Sequence, residues 1–258
     1  MKTVFITGVS SGIGRACAEM FLEHGWKVAG TSRSGREIPG VSVYAMDLSD
    51  PDSIVSAIEG AFLKERIDLF VQCAGSGTAG AFEDFSDEQL SGEINILFLG
   101  ASRVIKQAIT CMRRQGGGRI IVIGSVAGRI PLPYQNVYSA CKAALYSLVS
   151  AVRLEVAQFG IDMCVVEPGD TKTGFTAARK LTEKNTYGRD RDRAIAQFEH
   201  DEINGVSPKT AASQVYGISK KKKIRSRYAV CIKYKLLCFI FGICPGPVRD
   251  FALKALYF

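Results

Sequence analysis

Tyr138 and Lys142 stand four residues apart in the stretch Tyr138-Ser139-Ala140-Cys141-Lys142, and Ser125 precedes Tyr138 by thirteen positions. Residues at i and i+4 share one face of a helix, so a phenol and an ammonium at that spacing meet side by side. A free tyrosine titrates near about 10, too high to exchange protons readily at neutral pH. An adjacent cation favours the phenolate, so Lys142 is expected to lower the Tyr138 pKa toward the range where a general acid or base works best. The Ser125 hydroxyl can hydrogen-bond a carbonyl oxygen while Tyr138 exchanges a proton with it. Singly these are a surface tyrosine, a solvated lysine and a strand-end serine; together they point to proton transfer at a carbonyl or alcohol oxygen. With only two histidines, His24 and His200, and no cysteine cluster near either, the chain lacks the groups for a zinc site or a Ser-His-Asp arrangement.

A second constellation lies at the start of the chain. Thr7-Gly8-Val9-Ser10-Ser11-Gly12-Ile13-Gly14 follows the apolar run Thr3 to Thr7 and opens onto Arg15 to Glu23, which reads as strand, glycine turn and helix. Gly8 allows the tight turn, Gly12 lets the backbone approach a pyrophosphate, and Gly14 lets helix and strand pack closely, while the helix N-terminus faces the anion. The turn predicts a bound dinucleotide, with Ser10, Ser11 and Ile13 in the same loop as contacts. Roughly 20 residues beyond the glycines, a carboxylate would normally hold the ribose 2′-hydroxyl of NAD. Here the segment is Gly30-Thr31-Ser32-Arg33. It carries no acid, and the planar fork of Arg33, beside Ser32, suits a 2′-phosphate. NADP(H) is therefore the expected cofactor, and its positive nicotinamide would add to Lys142 in lowering the Tyr138 pKa. The alternative reading of Arg33 is a solvated loop arginine.

The Thr7 to Gly14 spacing resembles the TGxxxGxG turn of the short-chain dehydrogenase/reductase family, and Ser125 with Tyr138-x-x-x-Lys142 is similar to that family's catalytic set. Asp47-Leu48 resembles its adenine-contacting acidic position, Cys73-Ala74-Gly75 its NNAG segment, and Asn95 the asparagine of its fourth helix. The resemblance implies that Asn95 holds a water leading protons to Lys142, and that Ala74, Gly75, Asn95, Tyr138 and Lys142 also line the cofactor. Gln72-Cys73 departs from the two asparagines of that motif, which bears on a sheet-stabilising hydrogen bond more than on cofactor contact. Glu167-Pro168-Gly169-Asp170-Thr171-Lys172-Thr173 follows a strand at its carboxyl end, where open α/β sheets bind ligands. By the same resemblance Pro168 and Gly169 form the family's turn, and the Thr171 backbone and Thr173 hydroxyl bind the nicotinamide carboxamide. The implied activity is an NADP(H)-dependent oxidoreductase moving hydride between nicotinamide and a carbonyl or alcohol carbon.

Several elements must hold these residues in place. Thr3 to Thr7, Lys27 to Thr31, Val41 to Ala45, Asp68 to Cys73, Arg119 to Ser125, Asp162 to Glu167 and Tyr228 to Ile232 read as strands separated by helix-length segments. Such alternation predicts an α/β chain: a Rossmann-type, doubly wound parallel sheet of about seven strands with helices on both faces. With 258 residues, 47% hydrophobic and 22% charged, one domain is expected. The segment from Tyr138 shows two apolar stripes, Val137, Cys141, Ala144, Leu148, Val152 and Leu145, Val149, Val156. Similar enzymes use this helix and its neighbour to form homodimers or homotetramers, but Ile94, Leu97, Ala101, Val104 and Ala108 could equally be core. The eight cysteines form no CxxC pair and mostly sit in apolar runs, as reduced thiols of a cytoplasmic protein do. The apolar stretch at the N-terminus is too short for a secretory signal or a membrane span. Net charge is +8, but Lys220 to Lys223, Arg225 and Arg227 form a local cluster, and no nucleic-acid-binding signature accompanies it.

Residues 174–205 are polar, carry few periodic apolar anchors and follow a strand end, which predicts a mobile lid over the site. The extension 233–258 contains LLCFIFGIC, a Pro-Gly-Pro break and the helix-like VRDFALKALYF. Nine apolar residues fall far below the roughly 20 of a membrane-spanning helix. The tail resembles that of hydroxysteroid- and retinol-type members, and it suits a bulky hydrophobic substrate such as a steroid, retinoid or long-chain ketone. Weak peripheral membrane contact is a further use, with Lys220 to Lys223 next to the tail. Two other classes stay open: a 3-oxoacyl-type ketoreductase, against which the tail argues, and a non-catalytic NADP(H) sensor, against which Ser125, Tyr138 and Lys142 argue.

Overall fold

β-Branched runs bounded by glycine or polar turns form the strands, and the computed structural model, which describes residues 1–258, shows how they assemble. In chain order they are β1 (Thr3–Thr7), β2 (Lys27–Ser32), β3 (Val41–Ala45), β4 (Leu69–Gln72), β5 (Thr78–Ala79), β6 (Gly118–Ile123), β7 (Ile161–Glu167), β8 (Lys180–Leu181) and β9 (Arg227–Ala229). Seven of them make one sheet in the order β3-β2-β1-β4-β6-β7-β9, parallel throughout, while β5 pairs only with β8. The order reverses between β1 and β4, the place where doubly wound sheets open a crevice beyond the strand carboxyl ends.

Helices cover both faces. They are α1 (Gly12–Glu23), α2 (Pro51–Lys64), α3 (Asp87–Ile94), α4 (Ala101–Arg114), α5 (Asn136–Val156), α6 (Phe175–Ala178), α7 (Arg189–Ile203), α8 (Pro208–Ser219), α9 (Cys231–Ile243) and α10 (Gly246–Tyr257). Strand alternation sends Phe5 to one side, where it stacks on Phe70 at 4.9 Å in a core shared with α2, α4 and α5. Val4 and Ile6 point the other way, into a core made with Cys17 and Phe21 of α1 and Ala212 and Val215 of α8. Local signals set the helix starts: Asp50 accepts from Asp52 N ahead of Pro51, and Ser86 with Gln89 forms a reciprocal capping box before α3.

The structure settles one alternative and corrects four expectations. Leu97, Ala101, Val104 and Ala108 are buried in the chain's own cores. The last strand ends at Ala229, because Cys231 takes a positive φ of 58° and turns the chain into α9, which absorbs Ile232. β6 ends at Ile123, so Ser125 lies in the following turn. The segment 174–205 is anchored: Ala194, Ile195 and Phe198 of α7 are buried, and Phe198 packs on Tyr257 of α10 at 4.9 Å. Lys220 to Lys222 sit with Lys2, Asp68 and Arg119 where β1, β4 and β6 begin, at the opposite end of β9 from the tail.

Candidate active site

The first strand delivers Thr7, whose hydroxyl oxygen accepts from Cys73 N at 2.9 Å and Ala74 N at 3.0 Å. Gln72 Nε2 donates to Ala74 O at 3.0 Å. The two Thr7 bonds tie β1 to the loop after β4, and the Gln72 bond braces that loop from within, where the missing asparagines were expected to act. Above them, Gly8 has φ +77° and its N–H bonds Thr31 O at 2.9 Å. A Cβ on Gly14 would lie 2.2 Å from Gly8 O, so strand and helix can approach this closely only with glycine. Ser11 caps α1 with no side-chain bond, so the first-turn N–H groups get no help from it. Ser32 Oγ is buried with no hydrogen-bond partner, and the exposed Arg33 side chain follows it. An uncapped helix N-terminus, a glycine cradle and an orphaned hydroxyl at the end of β2 fit an anionic dinucleotide.

Around that cradle, Gly75 lies against Leu97, and Ser10, Gly12 and Ile13 complete the turn. Asp47 is exposed after β3, and its carboxyl pKa is lowered mainly by hydrogen bonds from Ser49, at 2.7 and 2.8 Å, with Arg33 adding charge. Leu48 is buried in the core beneath it.

The second group gathers beyond β6 and β7. Ser125 begins a short 3₁₀ turn, its Oγ accepting from Ala127 N at 3.1 Å, which leaves its own proton free to donate. Tyr138 and Lys142 come from the first two turns of α5, with Lys142 Nζ 5.6 Å from the Tyr138 ring centroid. Lys142 is only 8% exposed, and its Nζ donates to Ile123 O at 3.1 Å. Burial brings the Lys142 ammonium down to about 8, against the pull of nearby Cys73 and Cys141. Burial likewise pushes the Tyr138 phenol up to about 12; the Ser125 hydroxyl opposes the rise and the carboxylates of Glu202 and Glu93 add to it. Without cofactor, burial therefore dominates at Tyr138, and the lowering expected from Lys142 does not appear.

Asn95 opens a π-helical turn, Asn95–Gly100, between α3 and α4. Its Oδ1 accepts from Arg103 Nη1 at 3.0 Å, a partner that no spacing rule predicts. The loop after β7 closes the group: Val126 N donates to Pro168 O at 2.9 Å, Thr171 Oγ1 donates to Gly169 O at 2.8 Å, and Thr173 lies 3.5 Å from where a Gly12 Cβ would stand. Two contributors come from the lid and the C-terminal extension, where no single site residue was expected. Tyr234 of α9 donates to Asp170 Oδ2 at 2.7 Å and accepts from Asp170 N at 2.9 Å. Phe175 of α6 sits 5.7 Å from the Tyr138 ring, under the Arg179 guanidinium, which pairs with Glu202. Both lie in stretches without regular periodicity, so only the fold reveals them.

A parallel doubly wound sheet with this glycine turn and this serine, tyrosine and lysine at its carboxyl edge defines a nicotinamide-dependent oxidoreductase site. The family model for short chain dehydrogenases matches residues 2–184, and the chain belongs to that family. A relative from Bacteroides thetaiotaomicron, a 3-ketodihydrosphingosine reductase, is 35% identical over 264 residues, covering 99% of this chain and 98% of its own. A short-chain dehydrogenase structure from Streptomyces avermitilis superposes with a TM-score of 0.82 at 26% identity, over 98% of this chain and 94% of that one. The same fold recurs in two Burkholderia enzymes: one from B. cenocepacia with NADP (17% identity, TM-score 0.78, 97% and 98% covered) and one from B. phymatum with NAD (20%, 0.79, 93% and 92%).

Proposed function

We propose that this chain is an NADP(H)-dependent reductase of a bulky, lipid-like ketone, working in the cytoplasm. The observation that carries the reading is the grouping beyond β6: Ser125, whose hydroxyl proton is free to donate, stands with Tyr138 and with Lys142, whose buried ammonium lies 5.6 Å from the Tyr138 ring. Bound cofactor would supply hydride to the carbonyl carbon. Gly8, Gly12, Gly14 and the uncapped start of α1 would hold its pyrophosphate, Ser32 and Arg33 its 2′-phosphate, and the loop Pro168 to Thr173 its nicotinamide end. On this reading Ser125 donates a hydrogen bond to the carbonyl oxygen, Tyr138 gives that oxygen its proton, and Lys142, still charged at pH 7, stabilises the phenolate left behind. Asn95 would hold a water that returns protons toward Lys142.

The substrate class rests on α9 and α10, whose apolar side chains lie beside the loop 126–134 and the lid, and on the likeness to a 3-ketodihydrosphingosine reductase. Steroid and retinoid carbonyls belong to the same bulky apolar class. A 3-oxoacyl-type ketoreductase is the second reading, favoured by the intact Ser125, Tyr138 and Lys142 alone. Following NADPH oxidation with 3-ketodihydrosphingosine, a steroid ketone, retinal and an acetoacyl thioester tests the reading. Preference for a long-chain or polycyclic ketone supports it, and turnover of the acetoacyl thioester alone overturns it.

A further inference from the structure

The outer surface of the last 28 residues is apolar beyond the needs of folding. Of the twenty large hydrophobic side chains that the protein exposes, ten lie between Ile232 and Phe258. On α9 they follow helical spacing: Ile232 (79% exposed), Leu236 (57%), Phe239 (64%), Ile240 (45%) and Ile243 (67%) form an outward stripe, while Tyr234 and Cys238 face inward. Val248, Phe251 and Leu256 of α10, which packs against α9 through Leu253, are exposed as well, at 52%, 74% and 60%. Apolar exposure concentrated in this way marks an interaction site.

Charge points to its partner. α9 contains Lys233 and Lys235 and no acid; α10 adds Arg249 and Lys254 against the single Asp250. Long basic side chains flanking a stripe of Ile, Leu and Phe can lay their stems along the hydrocarbon boundary and raise their charges to anionic headgroups. A second copy of the chain fits less well, because an isologous contact would bring together two copies of a surface that carries Lys233 and Lys235 and has no carboxylate on α9 to answer them. The helix is too short to cross: thirteen residues at about 1.5 Å each give roughly 20 Å against a hydrocarbon core of about 30 Å.

We infer that α9 and α10 form an interfacial foot that docks the protein flat on an anionic lipid surface. The foot is joined to the active site. Tyr234 and Cys238 on its inner side pack with Val126 and Ile130 of the loop after Ser125, and Tyr257 packs on the lid helix α7. Docking therefore sets the cleft beside the lipid, whatever ketone the enzyme reduces.

Co-sedimentation of the full-length protein with vesicles tests this without cofactor or substrate, so its outcome is separate from that of the proposed reaction. The protein should pellet with vesicles containing phosphatidylglycerol, and binding should fall as NaCl rises and be much weaker on pure phosphatidylcholine. The double variant Phe239→Asp/Ile243→Asp should lose at least tenfold in vesicle partitioning while keeping the wild-type melting temperature and NADPH binding. A second variant, Lys233→Glu/Lys235→Glu, should lose preference for the anionic vesicles. Absence of binding to phosphatidylglycerol vesicles overturns the inference. So does light scattering that shows a dimer which the Phe239→Asp/Ile243→Asp change splits into monomers, since the stripe would then belong to a second copy.

Discussion

Lys142 is the residue whose environment asks most of the fold. An ordinary lysine stays charged to pH 10, but burial against Ile123 O brings this one to about 8. In the proposed mechanism this ammonium steadies the Tyr138 phenolate, so kcat/KM for ketone reduction should fall as pH rises through about 8; a flat profile to pH 9.5 in stopped-flow assays would remove Lys142 from that role. The same shift has a stability consequence. With the folded pKa below the unfolded one, holding the charge costs stability below about pH 8, and the cost fades as pH rises toward the ordinary lysine value. Lys142→Met should then raise the melting temperature at pH 7, with the gain shrinking toward pH 10, while abolishing turnover. Tyr138→Phe keeps the ring and removes the acid. Turnover should drop by about 10² to 10⁴ with NADPH binding nearly unchanged, measured by fluorescence titration. That Tyr138 and Lys142 stand side by side was legible because residues at i and i+4 share one face of a helix. The direction of the Tyr138 shift was not, since it is set by burial and by the charges of Glu202 and Glu93, which lie far away in sequence.

Elements differ in how openly they announce themselves. β1, β2, β6 and β7 are largely buried, and their mainly apolar or small residues read correctly as strands to within two residues at either end. α9 gave no such signal. CIKYKLLCFIFGI is so rich in apolar residues that period 2 and period 3.6 both fit, and its start depends on the positive φ of Cys231. The lid reads as loosely held for a related reason: its anchors Ala194 and Phe198 are few but meet Ala81, Tyr134 and Tyr257 from three separate parts of the chain. Phe198→Ala should empty that cluster at a cost of about 3–5 kcal/mol to the local unit. Hydrogen exchange should then quicken in α7 and α10 together, leaving β1 and β6 protected; quickening confined to α7 would mean that lid and tail do not open as one.

At the scale of the whole molecule, the parallel sheet, its strand order and its two cores follow from the alternation of strand and helix, and the active site follows from the point where that order reverses. The proposed preference for NADP(H) rests on one exposed side chain, Arg33, and one orphaned hydroxyl, Ser32 Oγ, at the end of β2. Linkage gives this a global readout. A ligand at a hundred times its Kd adds about 2.7 kcal/mol to folding stability, so NADPH should raise the melting temperature by several degrees and equimolar NADH by clearly less. Arg33→Ala should erase the difference by weakening NADPH about 1–3 kcal/mol and sparing NADH. Equal shifts in the unaltered protein would leave the 2′-phosphate reading without support.

Gly169 carries a consequence of its own. Its backbone φ lies outside the left-handed region, so the turn itself asks for no glycine, yet an added Cβ would fall 2.2 Å from the Tyr234 ring. The glycine answers to α9. Position 169 and the tail are thus a single unit of inheritance: a lineage that kept α9 would be held to glycine there, and one that shed it would be free to drift. Gly169→Ala should therefore be damaging in the wild-type background and nearly silent beside Tyr234→Ala, with cofactor affinity as the measure in a double-mutant cycle.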